Sequence, residues 1–263
     1  MTNLLQTIDN RGVATLSLNR REKHNCFDDT LIAELTTAFS ALEANDDVRV
    51  VILTGEGKSF SAGGDLSWMQ RMADYSYDEN FRDAQALADM LKTLNELAKP
   101  TIARVQGAAF GGAVGLVSCC DMAIGSERAS FSLSEVKIGL MPATISPYVM
   151  QAIGSRAARR YFLSGERFDA NTACSLGLLC DVVPESELDL AVSKLADTLL
   201  ANSPAAVGEA KRLINDYANL AITDELIADS CKRIADIRIS NEGQEGLKAF
   251  LEKRSPQWVK THV

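Results

Sequence analysis

An α/β fold with crossover connections, followed by a purely helical region, is what three features of this 263-residue sequence predict. Short β-branched runs alternate with helical runs through the first two thirds of the chain, which is the signature of strands joined through helices. Glycine-rich bends sit where apolar runs break, at residues 55–64 and 107–112. After Cys180-Asp181-Val182-Val183-Pro184 the apolar spacing is helical only.

The elements follow in order. Val13-Ala14-Thr15-Leu16-Ser17-Leu18 alternates as a strand, and Asp28 caps a helix running to about Glu43. Val48 to Thr54 is β-branched and apolar enough to be a buried strand, and the loop after it holds glycines at 55, 57, 63 and 64. A helix spans about Asn80 to Leu97 and stops at Lys99-Pro100, because the residue before proline disfavours helical backbone. Thr101 to Val105 is the next strand. The 111–120 run is a helix apolar on every side, which belongs in the interior, and 121–124 is another strand. Helices at about 185–202, 204–219, 223–237 and 242–253 complete the chain. The composition changes near residue 190, giving a core of 1–190 and a helical region of 191–263. The apolar faces of that region exceed what it can bury on itself, so it is expected to pack on the core and on other subunits.

Composition narrows the function classes. With 46% hydrophobic and 24% charged residues, the chain can bury a substantial core. A net charge of −8 argues against a nucleic-acid surface, which needs clustered Lys and Arg. The six cysteines form no C-x-x-C pair and no zinc-ligand spacing, and Cys119-Cys120 reads as two small buried hydrophobes. No metal site is expected. The first residues lack the basic and apolar regions of a secretory signal, and no apolar run reaches the length of a membrane span, so a cytoplasmic protein is expected.

Several familiar motifs fail on inspection. Gly55-Glu56-Gly57-Lys58-Ser59 is not a phosphate loop, because that motif needs glycine at 52, where the chain has Ile52. The glycines at 107, 111, 112 and 115 do not form G-x-G-x-x-G. A serine-hydrolase triad has only His24 and His262 to draw on, and G-x-S-x-G is absent. What remains is a pair of bends, Phe60-Ser61-Ala62-Gly63-Gly64-Asp65 and Gly107-Ala108-Ala109-Phe110-Gly111-Gly112. Each exposes backbone N–H groups where a helix begins, and two such donors converging on one point make an oxyanion hole. Glu135 adds a proton carrier. Taken by spacing alone, Gly64 and Gly112 are ordinary turn glycines, Glu135 a solvated acid, and Trp68, Met69 and Met72 core residues.

The order of these residues settles the balance. Leu18-Asn19-Arg20, Lys23 and Asn25, the two glycine bends, Cys120-Asp121 and Gly246 to Arg254 together resemble the crotonase, or enoyl-CoA hydratase/isomerase, superfamily over essentially the whole chain. The resemblance implies a spiral of ββα units with a helical C-terminal trimerisation region, assembled as a homotrimer or homohexamer. It implies that the N–H groups of Gly64 and Gly112 bind the thioester oxygen of an acyl-CoA, with Glu135 as the acid. Substrate contacts are implied at Lys23, His24, Ala62, Asp65, Trp68, Ala143, Phe250 and Lys253, the last two reaching a neighbouring subunit's coenzyme A. No separate cofactor is implied, since coenzyme A is part of the substrate.

The stretch Leu133 to Tyr148, with Asp65-Leu66-Ser67-Trp68-Met69, resembles a narrower branch of hydratases acting on branched, carboxylated enoyl-CoA esters such as methylglutaconyl-CoA and carboxygeranoyl-CoA. Arg71 and Lys137 are candidate partners for the substrate carboxylate. One departure stands out. Two-glutamate hydratases carry their first glutamate three residues after the second oxyanion glycine, and that position here is Gly115. Hydration with Glu135 protonating the α-carbon is therefore expected, the second proton-transfer group being open, with single-glutamate double-bond isomerisation and non-catalytic acyl-CoA binding as the rivals.

Overall fold

The computed structural model describes residues 2–259, so His262 lies outside the described residues. Strands β1 (Leu4–Ile8), β2 (Val13–Leu18), β3 (Val50–Gly55), β4 (Thr101–Val105), β6 (Met122–Ser126) and β9 (Asp181–Val183) form one sheet in the order β1-β2-β3-β4-β6-β9. Only the β1/β2 pair is antiparallel; the remaining neighbours are parallel. β3 is buried at every position, which is why it reads as a continuous apolar run rather than an alternating one.

A second sheet, β5-β7-β8, is built from three-residue strands Ala108–Phe110, Ser130–Ser132 and Arg167–Asp169. Two isolated parallel bridges, Phe27 with Gly64 and Ser61 with Ala109, continue this layer across the earlier part of the chain. The chain thus passes repeatedly from the large sheet to the second layer and back through a helix, a spiral of ββα turns. The three-residue strands are too short to show a period of two, so sequence patterning does not reveal them.

Helices α1 (Asp29–Ala44), α2 (Leu66–Met72), α3 (Tyr77–Glu96) and α4 (Gly112–Cys119) fill the turns of the spiral. Asp28 caps α1 by accepting from the Leu31 N–H, as expected from the sequence. α3 starts three residues earlier than its apolar spacing indicates, because Ser76 and Glu79 form a reciprocal capping box. α4 is buried on almost every side, as its composition requires.

Helix α5 (Ser146–Ser164) is broken at Gly154, which has φ 74°, and leads through β8 to α6 (Ala170–Leu176). Helices α7 (Leu188–Leu200), α8 (Pro204–Tyr217), α9 (Asp224–Ile239) and α10 (Asn241–Leu251) complete the helical C-terminal region. The composition boundary near residue 190 falls at the start of α7, yet α7 packs on the large sheet. Its Leu188, Val192 and Ala196 cluster with Val13, Val50, Ile52, Ile102 and Ile124. On α8, buried Lys211 donates to Asp121 at 2.9 Å, and the same carboxylate oxygen accepts from the Thr101 N–H at 2.7 Å. That contact ties the helical region to the strand ends of the core.

Candidate active site

Each glycine bend has the same construction: one glycine takes a positive φ so that the next can present its N–H. Gly63 (φ 93°) precedes Gly64, and Gly111 (φ 55°) precedes Gly112. Around the first bend, Phe27 donates to Gly63 C=O and accepts from the Asp65 N–H, both at 2.9 Å. In a parallel bridge of this kind, the peptide N–H of the central residue, Gly64, faces the opposite side. Around the second, the Gly111 N–H is held by Ser132 C=O at 2.8 Å, and Gly112 opens α4. Neither the Gly64 N–H nor the Gly112 N–H donates to any acceptor among the described residues.

The two bends lie against one another. Ser61 donates to Ala108 C=O at 3.1 Å and accepts from Phe110 N–H at 3.0 Å, and a Cβ placed on Gly63 would stand 2.9 Å from Phe110 C=O. Glu135 opens a short 3-10 helix, Glu135–Ile138, after β7. One of its carboxyl oxygens lies 3.1 Å from where a Gly111 Cβ would be, so the acid is poised over the second bend. The other oxygen, Oε2, is buried without a hydrogen-bond partner. Burial raises the Glu135 carboxyl above its ordinary value, opposed by a weaker pull from its own backbone N–H.

The remaining residues named from the sequence separate into groups. Asp65 does not offer its carboxylate to a ligand: it is 5% exposed and paired with Lys23 at 2.8 Å and Arg20 at 3.3 Å, while its other oxygen caps α2 at the Ser67 N–H. The Lys23 hydrogen bond, then the Ser67 N–H and the two cationic charges, outweigh desolvation and hold it at about 2. It therefore fixes the bend from behind. Lys23 spends its charge on that pair. His24 Nδ1 lies 3.1 Å from Ser59 Oγ, and the His24 C=O accepts from the Ala62 N–H at 2.9 Å, so these two positions brace the first bend as well.

Trp68 is both core and wall. It is buried, its ring edge is 3.6 Å from a Cβ position at Gly64, and its indole N–H donates to Asp83 at 3.0 Å. Ala143 lies exposed in the turn between the Glu135 helix and α5. Arg71 is paired with Asp29 at 2.6 Å, and Lys137 is exposed beside Gly165. Phe250, 81% exposed, projects from α10, which packs on α8 and α9, and Lys253 follows with φ 55°.

Sequence reasoning passed over three contributors. Phe27 touches both bends, Asp83 fixes the indole, and Ile145 fills the space beside Gly115. A Cβ on Gly115 would lie 2.8 Å from the Ile145 Cβ and 3.5 Å from Leu91 Cδ2, so this position has no room even for a methyl group. Phe27 and Asp83 carry no sequence motif, and Ile145 entered only as part of the Leu133–Tyr148 stretch. Among the described residues no group of three or more His, Cys, Asp or Glu side chains could hold a metal, and no helix is long and apolar enough to cross a membrane.

The site thus combines two free amides and one half-buried acid on a ββα spiral. The chain belongs to the enoyl-CoA hydratase/isomerase family, whose profile matches residues 9–261. Its mixed α/β fold with a helical C-terminal region is that of solved crotonases. An enoyl-CoA hydratase from Shewanella pealeana superposes with a TM-score of 0.95 at 47% identity, covering 98% of this chain and 96% of that one. Hydroxycinnamoyl-CoA hydratase-lyase of Pseudomonas fluorescens is 32% identical over 93% of this chain and 90% of its own. The 2,3-dehydroadipyl-CoA hydratase of Escherichia coli is 30% identical over 94% of each.

Proposed function

We propose that this protein is an enoyl-CoA hydratase in which Glu135 performs both proton transfers. The observation that carries the reading is the Glu135 carboxyl, one oxygen against the Gly111 bend and the other buried without a partner, in a site with two free amides. As water adds to the β-carbon, the thioester carbonyl gains negative charge, and the N–H groups of Gly64 and Gly112 stabilise it without reorganising. Burial favours the neutral form of this carboxyl, which is the form the mechanism uses. One oxygen gives its proton to the α-carbon while the other takes a proton from the attacking water, so the acid ends as it began and the addition is syn. Coenzyme A enters as part of the substrate, and no separate cofactor is called for.

Glu135→Gln should lower kcat by about a thousandfold or more while leaving binding of the CoA ester intact. Hydration by that variant at near wild-type rate would remove Glu135 from the mechanism. Because the neutral acid is the reactive form, wild-type turnover should fall as pH rises through its raised pKa.

For the acyl group, a branched carboxylated enoyl-CoA such as methylglutaconyl-CoA is the proposed substrate class. In support, a relative sharing 30% identity is named for dehydroadipyl-CoA, an ester with a second carboxyl group. Lys137, exposed and without an ion pair among the described residues, is the better placed of the two candidate partners, since Arg71 already faces Asp29. Lys137→Met should raise KM for carboxylated esters and leave crotonyl-CoA unaffected. Assembly as a homotrimer or homohexamer in the cytoplasm is proposed on the apolar side chains that α9 and α10 expose, among them Ile239, Phe250 and Leu251.

The filled space at Gly115 favours one alternative, a double-bond isomerase that moves a single proton between two carbons. Products formed in oxygen-labelled water separate the two: incorporation of label means hydration.

A further inference from the structure

The two free amides belong to different turns of the spiral, and one buried residue touches both. Phe27 lies in the loop between β2 and α1 and is 2% exposed. Its main chain holds the first bend, through the 2.9 Å bonds to Gly63 and Asp65 on either side of Gly64. Its ring meets the second: a Cβ on Gly112 would stand 2.6 Å from the ring Cζ and 2.8 Å from Cε2. The Gly112 backbone therefore rests directly on the tip of the phenyl ring.

Phe27 is itself held from behind. The Arg20 guanidinium donates to Cys26 C=O at 2.8 Å, pairs with Asp28 at 2.9 Å and reaches Asp65 at 3.3 Å. Asn25 accepts from the Arg20 N–H at 2.9 Å and donates to the carbonyls of Glu56 and Ser59, each at 2.9 Å. The loop is thus clamped at both ends of the residue that spans the two amides.

We infer that Phe27 is a positioning residue that sets the separation between the Gly64 and Gly112 donors. The inference rests on the reading of those amides as the oxyanion hole. A planar ring is a rigid spacer, with one end fixed by its own backbone bonds to the first bend and the other in contact with the second. Oxyanion donors act at about 2.7–3.1 Å from the developing charge, and a displacement near 1 Å costs on the order of a hundredfold in rate. A shorter side chain leaves the main-chain bonds in place and lets the Gly112 bend settle inward.

The test compares Phe27→Leu with Phe27→Met, whose longer, unbranched side chain refills the space. Each is measured for hydration of crotonyl-CoA, for affinity for coenzyme A alone, and for the red-shift of a bound 4-dimethylaminocinnamoyl-CoA, which reports polarisation of the thioester carbonyl. Phe27→Leu should lower kcat about 10- to 100-fold, with KM within about threefold, and shrink the red-shift, while coenzyme A affinity is unchanged. Phe27→Met should recover most of the kcat and the red-shift. A wild-type red-shift and kcat in Phe27→Leu would overturn the positioning role. So would a loss of kcat matched by an equal loss of coenzyme A binding, which marks general unfolding. Absence of any red-shift in the wild-type protein would instead overturn the oxyanion-hole reading beneath it.

Discussion

Gly115, where a two-glutamate enzyme would carry its first acid, can be tested as a packing position. It lies inside α4, where replacing glycine by alanine ordinarily stabilises by about 1 kcal/mol. Here the added methyl group would meet the Ile145 Cβ at 2.8 Å, well inside the ~3.5–4.0 Å at which carbon atoms rest. Rotating the isoleucine does not move its Cβ, so relief requires a backbone shift. Overpacking of this kind costs about 1–3 kcal/mol, at the upper end for so close an approach. The clash should win, leaving Gly115→Ala destabilised by about 1–2 kcal/mol. Ile145→Ala alone should cost about 2–5 kcal/mol through the cavity it opens. In that background Gly115→Ala should cost less, because the closer contact with the Ile145 Cγ2 is gone, but it should stay destabilising, because alanine keeps the Cβ that the new methyl group meets. Urea unfolding of the four proteins gives the coupling directly. An equal cost of Gly115→Ala in both backgrounds would refute the claim that Ile145 seals this position. Gly115→Glu should accordingly lower stability further and give no gain in hydration rate.

Two other consequences concern stability. Lys211→Met leaves the Asp121 carboxylate without its cation in a partly buried setting and should cost about 2–4 kcal/mol in urea unfolding, with Asp121→Asn giving a comparable loss. Asp65 is held at about 2 against an ordinary 3.8, so on acidification the unfolded chain takes up this proton first. Its contribution is complete above about pH 4 and is lost as pH falls toward 2. Asp65→Asn should flatten that acid arm of the stability profile, and an unchanged arm would show that the pair with Lys23 and Arg20 contributes nothing.

Much of the architecture was legible from one-dimensional pattern. The long elements announce themselves because their periodicity runs for many residues: β3 as an unbroken apolar run, α3 by its amphipathic spacing, α4 by its lack of any polar face. The second sheet was not legible, since strands of three residues and single bridges such as Phe27 with Gly64 have no period to read. The site divides in the same way. Glycine pairs at 63–64 and 111–112 are visible because a left-handed φ followed by an exposed amide demands residues of that kind. The pairing of the Asp65 carboxylate as an internal anchor was not legible either, because its partners Arg20 and Lys23 come from a loop some forty residues away.

The sequence by itself determined the chemistry available: two glycine bends, one acid, and no second carboxylate at position 115. Only the tertiary structure decided how these are used. The separation of the amides, the burial of Glu135 and the isoleucine packed beside Gly115 all depend on side chains brought together from distant turns of the spiral. Local preference fixes what a bend can present, whereas distance and dielectric are set by whatever packs against it.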